Sequence, residues 1–176
     1  MFILFNKPYG IHSQFTGDNP SETLSPFIPF KHVYPAGRLD KKSEGLLILT
    51  DDGRQQHVLS HPKHGKSKTY WVQVEGIPEE NALNPLRKGL IYQGVSYQKA
   101  IVEQINPPQI WARQPPIRER KHIPTQWLAI SISEGKNHQI RKMTASIGYP
   151  TLRLIRYSIG AYTIAGLAPG AYRIIE

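Results

Sequence analysis

The sequence contains no cysteine. That absence removes disulfides, thiolate zinc sites and cysteine nucleophiles together, and it permits a reducing compartment. No apolar run approaches the roughly 20 residues of a membrane span. The start, Met1 to Lys7, lacks the long apolar region of a secretory signal. The expectation is a cytoplasmic protein without membrane contact. There is no Walker loop, no Gly-rich dinucleotide fingerprint and no Gly-x-Ser-x-Gly elbow. Internal repeats and low-complexity tracts are also missing. Acids are scarce: 13 Asp plus Glu stand against 22 Lys plus Arg, a formal charge of +9. Such a balance favours a polyanionic partner. Nucleic acid comes before a membrane surface, because no basic amphipathic helix with a bulky apolar face is present. The 176 residues fit one domain, or one domain with two lobes, and can bury a core without staples.

What is present begins with the stretch from Gly37 to Gly53. Its first half is charged: Arg38, Asp40, Lys41, Lys42 and Glu44. Its second half, Gly45 to Thr50, is glycine, four aliphatics and a threonine, which reads as a short buried strand. Asp51-Asp52-Gly53 is a turn, with one aspartate placed to cap a helix from Gly53 to Ser60. A side chain just before a buried strand is held by rigid structure, as catalysis requires. Asp40 occupies that place between Arg38 and Lys41-Lys42. The competing reading is a solvated turn.

The rest of the chain supplies elements in mixed order. Phe2 to Asn6 is a first strand, and Ser21 to Leu24 starts a short helix limited by Pro26. Val33-Tyr34 is extended. Lys68 to Glu75 alternates like a half-buried strand. Pro78 to Lys88 is a helix stopped by Gly89, and Val95 to Ile105 is strand-like. Pro107 to Pro124 combines prolines with Arg113, Arg118, Arg120 and Lys121. Its prolines argue against a continuous central strand, so it reads as an irregular or hairpin-like insertion that forms a contact surface, with a solvated loop as the competing reading. Trp127 to Ile132 alternates. Asn137, as cap, opens a helix to Ile147 closed by Gly148, with Ile140, Met143, Thr144 and Ile147 on one face. Leu152 to Ile159 mixes apolar residues with Arg153 and Arg156, and the tail from Gly166 to Arg173 is a turn followed by a last strand. Strands and helices lack regular βαβ spacing, so the class is α+β with a mixed, largely antiparallel sheet.

Three polar stretches border apolar segments: the Asp40 turn, the Lys68–Tyr70 strand and the Lys136–Arg141 turn and helix. They are expected to meet in one cleft. Cations beside a carboxylate favour its charged form, which suits a nucleophile better than a general acid. No second carboxylate has a matching setting, which weakens a two-acid glycosidase. His57, His61 and His64 have a metal-like spacing. Their Ser, Pro, Lys and Gly neighbours, with no nearby acid, favour a loop and no metal.

Gly37-Arg38-Leu39-Asp40-x-x-Ser43-x-Gly45-Leu46-Leu47 resembles the catalytic motif of the RsuA-type rRNA pseudouridine synthases. Lys68-Thr69-Tyr70-Trp71-Val72, Glu134 to Met143, and Gly148-Tyr149-Pro150 with Leu152, Leu154, Arg156 and Gly160 resemble further motifs of that family, in order. Pro115 to Thr125 is closest to a large-subunit subgroup. Many members carry an N-terminal S4 RNA-binding domain; here the chain begins directly at the catalytic domain, expected to span 1–176. The resemblance implies a fold with helices and loops flanking the sheet and a catalytic cleft between two lobes. It implies a monomer that converts one uridine of 23S rRNA to pseudouridine, without cofactor or metal. It makes Asp40 the nucleophile, Arg141 the basic partner of that carboxylate, and Tyr70 the aromatic that stacks on the base and helps remove the C5 proton. Ile140 becomes an apolar wall, and Arg38 fills the space left by a flipped nucleotide. Leu39 and Lys68 join the substrate-binding set. Arg118, Arg120, Lys121, Lys136, Lys142, Arg153 and Arg156 are read as RNA-backbone contacts, with Asn137 and His138 on the same turn as Lys136. The alternative from another class is a non-catalytic RNA-binding or ribosome-assembly module. A cation-flanked acid that repels phosphate has no use in such a binder. A DNA-binding reading lacks any helix-turn-helix or zinc pattern.

Overall fold

The computed structural model describes residues 1–61, 66–118 and 120–175. In chain order the elements are β1 (Phe2–Lys7), β2 (Tyr34–Ala36), β3 (Glu44–Thr50), α1 (Gly53–Ser60), β4 (Lys68–Glu75), α2 (Asn84–Lys88), β5 (Leu90–Tyr92), β6 (Val95–Tyr97), β7 (Ile101–Ile105), β8 (Thr125–Ile132), α3 (Gln139–Ser146), β9 (Thr151–Ile159), β10 (Tyr162–Thr163) and β11 (Tyr172–Ile175). The class is α+β, and strand pairing is largely antiparallel, as expected.

The first unit comprises 1–66 and 155–176. β1 pairs antiparallel with both β11 and β3, and β2 also pairs with β3. A parallel register joins Glu44 to Ile155 and Gly45 to Arg156. Every residue of β1 and of β3 is buried. Ile3, Phe5, Leu47 and Leu49 pack with Ile11, Leu24, Ile28, Val33 and Leu39 as one core. The Asp52 carboxylate caps α1, accepting from Arg54 N at 2.8 Å and Gln55 N at 3.4 Å, so the turn after β3 behaves as its sequence indicates. Ser21 to Leu24 is not a helix of its own: a single 3-10 turn, Pro20–Glu22, is capped by Asn19.

The second unit comprises 67–154. β8 lies between β4 and β7 and pairs antiparallel with both, with Tyr70 opposite Ile130 and Val72 opposite Leu128. β5 and β6 form a hairpin. Val72, Val74, Leu83, Leu86, Leu128, Ile130, Ile140 and Met143 are buried in its core. The helix expected over Pro78 to Lys88 is split: a 3-10 turn, Glu80–Leu83, precedes the five-residue α2. Pro85 has no N–H to extend a bond back into the preceding turn, so the helix restarts around it. Gly89 ends it at φ +88°, where a Cβ would stand 2.9 Å from Tyr97 O. Val95 to Ile105 is two short strands, because the chain turns at Ala100, whose N–H bonds Leu86 O at 2.9 Å. α3 starts two residues later than expected, with His138 in the cap position at φ +51° and no side-chain cap. Asn137 is therefore not the cap. Pro107 to Pro124 contains no strand or helix among its described residues, as its prolines dictate.

Candidate active site

Asp40 lies on a turn of the first unit, half-buried, one residue after the buried Leu39. Bonds from four sides hold that turn. Ser13 Oγ donates to Leu39 O at 2.7 Å, and Leu39 N–H approaches the same hydroxyl at 3.1 Å. Gly10 N–H donates to Lys41 O at 2.8 Å. Ser43 N–H donates to Asp40 O at 3.0 Å, which closes the turn on itself. Lys41 pairs with Glu22 at 3.0 Å. Leu39 belongs to the apolar core and anchors the turn. Arg38 is exposed and donates to Gln14 Oε1 at 2.9 Å.

Under this turn lie ionisable groups that sequence reasoning passes over. Lys7, at the end of β1, is fully buried. Its ammonium donates to Ile11 O at 2.6 Å, Pro8 O at 3.0 Å and Lys41 O at 3.4 Å. Burial pushes its pKa down to about 7, against the opposing pull of Glu44 and Asp40, while Arg156 lowers it further. Glu44 is 1% exposed and Arg156 is 3% exposed. Arg156 Nε donates to Leu46 O at 2.9 Å and Nη2 to Gly37 O at 2.7 Å. The expectation that Arg156 contacts RNA is corrected: its guanidinium is buried against main-chain carbonyls.

The second unit carries the other motif residues. Tyr70, on β4, is 8% exposed and shares one apolar cluster with Ile140 and Met143 of α3. Lys68 and Arg141 are half-buried. The turn before α3 is wired by Glu134, itself 9% exposed. Its carboxylate accepts from Gln98 N at 2.8 Å and Gln139 Nε2 at 2.9 Å, while Gln139 Oε1 accepts from Lys136 N at 3.1 Å. Lys136 pairs with Glu134 at 3.9 Å, donates to Ser96 O, and lies over the Tyr97 ring, 5.8 Å from its centroid. Its head group is therefore engaged within the unit. Asn137 and His138 are exposed and Lys142 is half-buried.

The remaining expected RNA contacts divide. Arg153 is 6% exposed, donates to Trp111 O at 3.0 Å and lies over the Trp111 ring at 5.7 Å. It is corrected to an internal clamp on the Pro-rich segment. Arg113 holds the same segment through Pro115 O at 2.8 Å, Pro116 O at 3.2 Å and Leu152 O at 3.3 Å. Arg118, Arg120 and Lys121 are exposed. Arg120 approaches Glu75 at 3.6 Å. Among the described residues, no group of three or more His, Asp or Glu is arranged to hold a metal. The His57 and His61 rings are 4.7 Å apart, and His64 lies outside the described residues. Among the described residues, no helix is long and apolar enough to cross a membrane.

The profile described as RNA pseudouridylate synthase matches residues 1–146. The chain belongs to the RNA pseudouridylate synthase family. A Vibrio vulnificus (strain CMCP6) protein named ribosomal large subunit pseudouridine synthase E is 55% identical over 174 residues, 99% of this chain and 74% of that one. The protein of the same name from Xanthomonas campestris pv. campestris is 49% identical, over 99% of this chain and 95% of that one. A solved structure described as pseudouridylate synthase superposes with a TM-score of 0.81 at 27% identity, covering 99% of this chain and 70% of the other. The chain thus has the pseudouridine synthase fold and is an RNA pseudouridine synthase, an isomerase. Within this family member, Lys7 has a signal in the sequence: it is the one charge in its strand, directly before Pro8. Glu44, by contrast, looks like any turn acid, and nothing in its neighbours marks it as buried.

Proposed function

We propose that this pseudouridine synthase isomerises one specific uridine of 23S rRNA to pseudouridine. The observation that carries this reading is the 49–55% identity, along 99% of the chain, to proteins named ribosomal large subunit pseudouridine synthase E. The rigidity of the Asp40 turn supports the chemistry. In the reaction the N1–C1′ bond breaks, the uracil turns, a C5–C1′ bond forms, and the C5 proton is replaced by one at N1. The atoms balance within the nucleotide, so no co-reactant enters. Asp40 is the nucleophile, on a turn whose main chain is fixed before substrate arrives. A base inside a helix is out of reach, so the uridine is flipped out and held by stacking and a shaped wall. Tyr70 stacks on it and assists loss of the C5 proton, Ile140 supplies the wall, and Arg141 supplies positive charge for the step at Asp40. Arg38 and Lys68 contact the substrate strand. Asn137, His138 and Lys142 line the RNA path from the α3 end. The exposed cations Arg118, Arg120 and Lys121 extend the path through the phosphate backbone. The enzyme works in the cytoplasm as a monomer, on rRNA or an assembling subunit.

The test is pseudouridine mapping of 23S rRNA from cells lacking the gene and carrying either the wild type or Asp40→Asn. One position should lose its modification in the deletion and regain it with wild type only. Asp40→Asn is near-isosteric, so the variant protein should remain folded and bind RNA. A deletion strain with every 23S pseudouridine intact would sink the substrate assignment. Restoration by Asp40→Asn would sink the nucleophile assignment.

A further inference from the structure

Arg156 makes two bonds that bear on one loop. Its Nη2 donates to Gly37 O at 2.7 Å, before the Asp40 turn, and its Nε donates to Leu46 O at 2.9 Å, after it. The turn is therefore closed at its base by one planar group. A guanidinium suits this because its N–H groups are held in a fixed fork and stay charged. The other end of the side chain is fixed as well. Gly45 and Arg156 are register partners in the parallel pairing of β3 and β9. A Cβ on Gly45 would stand 2.3 Å from Arg156 O, and Gly45 has φ +106°, so glycine there is what lets the two main chains meet. The backbone of Arg156 is set by the strand pairing and its tip by two carbonyls. Asp40 sits between the two clamped carbonyls in sequence, on a turn whose Ser43 N–H already binds Asp40 O.

We infer that Arg156 is a positioning residue for Asp40: it closes the base of the turn so that the nucleophile is held in its working geometry, and it makes no contact with RNA phosphate. This rests on Asp40 being the nucleophile. A displacement of about 1 Å at a reacting group can lower the rate on the order of 100-fold. Lysine at 156 keeps the cation but presents one compact head where two carbonyls at opposite ends of a turn need two N–H groups from a fork.

The test compares wild type, Arg156→Lys, Arg156→Met and Asp40→Asn. It uses 23S rRNA from cells lacking the enzyme, with single-turnover kinetics and hydrogen exchange on the free proteins. Arg156→Lys should stay folded, lose at least about 10-fold in the rate of the chemical step, and keep its half-saturating RNA concentration within about twofold. Its Ser43 and Gly10 amides, both bonded to the Asp40 turn, should exchange faster while amides of β1 keep their protection. Arg156→Met should show the same pattern more strongly; if it does not fold, Arg156→Lys decides alone. An unchanged rate overturns the inference. So does unchanged exchange at Ser43 and Gly10, and so does a raised half-saturating concentration at an unchanged rate, which would make Arg156 a phosphate contact. Activity in Asp40→Asn would remove the nucleophile on which the inference stands, and that result is distinct from failure at Arg156.

Discussion

The Asp40 turn and the Pro107–Pro124 segment are both rich in cations, and the buried cations that hold the first contrast with the exposed ones of the second. At the turn, Lys7 and Arg156 are buried, and their donors go to main-chain carbonyls around the turn. In the Pro-rich segment, Arg118, Arg120 and Lys121 are exposed, while Arg113 and Arg153 are among the groups that bond the segment to its unit. A buried cation bonded to carbonyls fixes a backbone and raises the cost of removing it, because its partners are left unsatisfied. An exposed cation contributes little to stability and remains available to a phosphate. Net charge therefore counts two populations together, and depth separates them.

The sharpest way to break the first population is through its backbone. Gly45→Ala would drive a Cβ into Arg156 O, 2.3 Å away, at a φ of +106° that an alanine resists. Main-chain overlap and a strained dihedral each cost about 1–3 kcal/mol. The substitution should lower stability by about 3 kcal/mol or more, read as the urea midpoint, and should abolish activity even where the protein survives purification. A variant with a wild-type midpoint would show that β3 and β9 do not pair this closely.

The second prediction uses the pKa of Lys7. Its folded value of about 7 lies below the ordinary 10.5. Between those two values the unfolded chain holds a proton that the folded chain has released, so stability rises with pH across that window. The slope is at most about 1.4 kcal/mol per pH unit for one proton. Below pH 7 both states are protonated, and this rise is absent. Glu44 and Asp40 oppose the shift and Arg156 adds to it. Lys7→Met should flatten the rise between pH 7 and pH 10 in urea unfolding. Parallel profiles for the wild type and Lys7→Met would mean that Lys7 keeps its proton in the folded state.

Depth is also what separates legible from illegible residues. β3, β4, α1 and the end of α3 can be read because each has a local signature: an apolar run, an alternation, the Asp52 cap, and Gly148 at φ +85°. The Asp40 turn stands out because charge meets a buried strand there. Arg153 and Arg156 escape a sequence reading because Leu152 to Arg156 mixes apolar and basic residues, and a pattern of that kind does not say whether an arginine faces solvent. Leu154, Ile155 and both arginines are all buried. Nothing local announces that the receiving carbonyls are Gly37 and Leu46, far away in sequence. Glu134 and Gln139 are hidden for the same reason: their role depends on Gln98 N–H, which belongs to the stretch after β6. The α2 region fails differently. Its proline is visible, but whether the chain restarts a helix or runs through it is decided by the packing of the buried Leu83 and Leu86.

The smallest effect, and the one that sharpens the comparison most, concerns the exposed population. Arg118 and Lys121 have exposed side chains in a segment already held by Arg113 and Arg153. Removing them should leave the melting temperature within about a degree or two, as surface substitutions do. Deleting one cation that neutralises a phosphate should reduce the slope of log binding constant against log salt by about 0.7–0.9. Arg118→Ala with Lys121→Ala should therefore flatten the salt dependence by about 1.5 and raise the RNA concentration for half-saturation, with the chemical step unchanged. Arg120 is a graded control, since it also approaches Glu75 at 3.6 Å, with 72% of its own side chain exposed and 14% of its partner's. An exposed pair of that kind is worth at most about 1 kcal/mol, and a residue shared between a carboxylate and a phosphate should give a smaller salt increment than Lys121. Binding isotherms between about 50 and 200 mM salt, a range over which phosphate neutralisation changes affinity steeply, would resolve the three increments. An unaltered slope in the double variant would move the RNA path away from this segment, and a fall of several degrees in melting temperature would place Arg118 and Lys121 with the buried cations of the Asp40 turn.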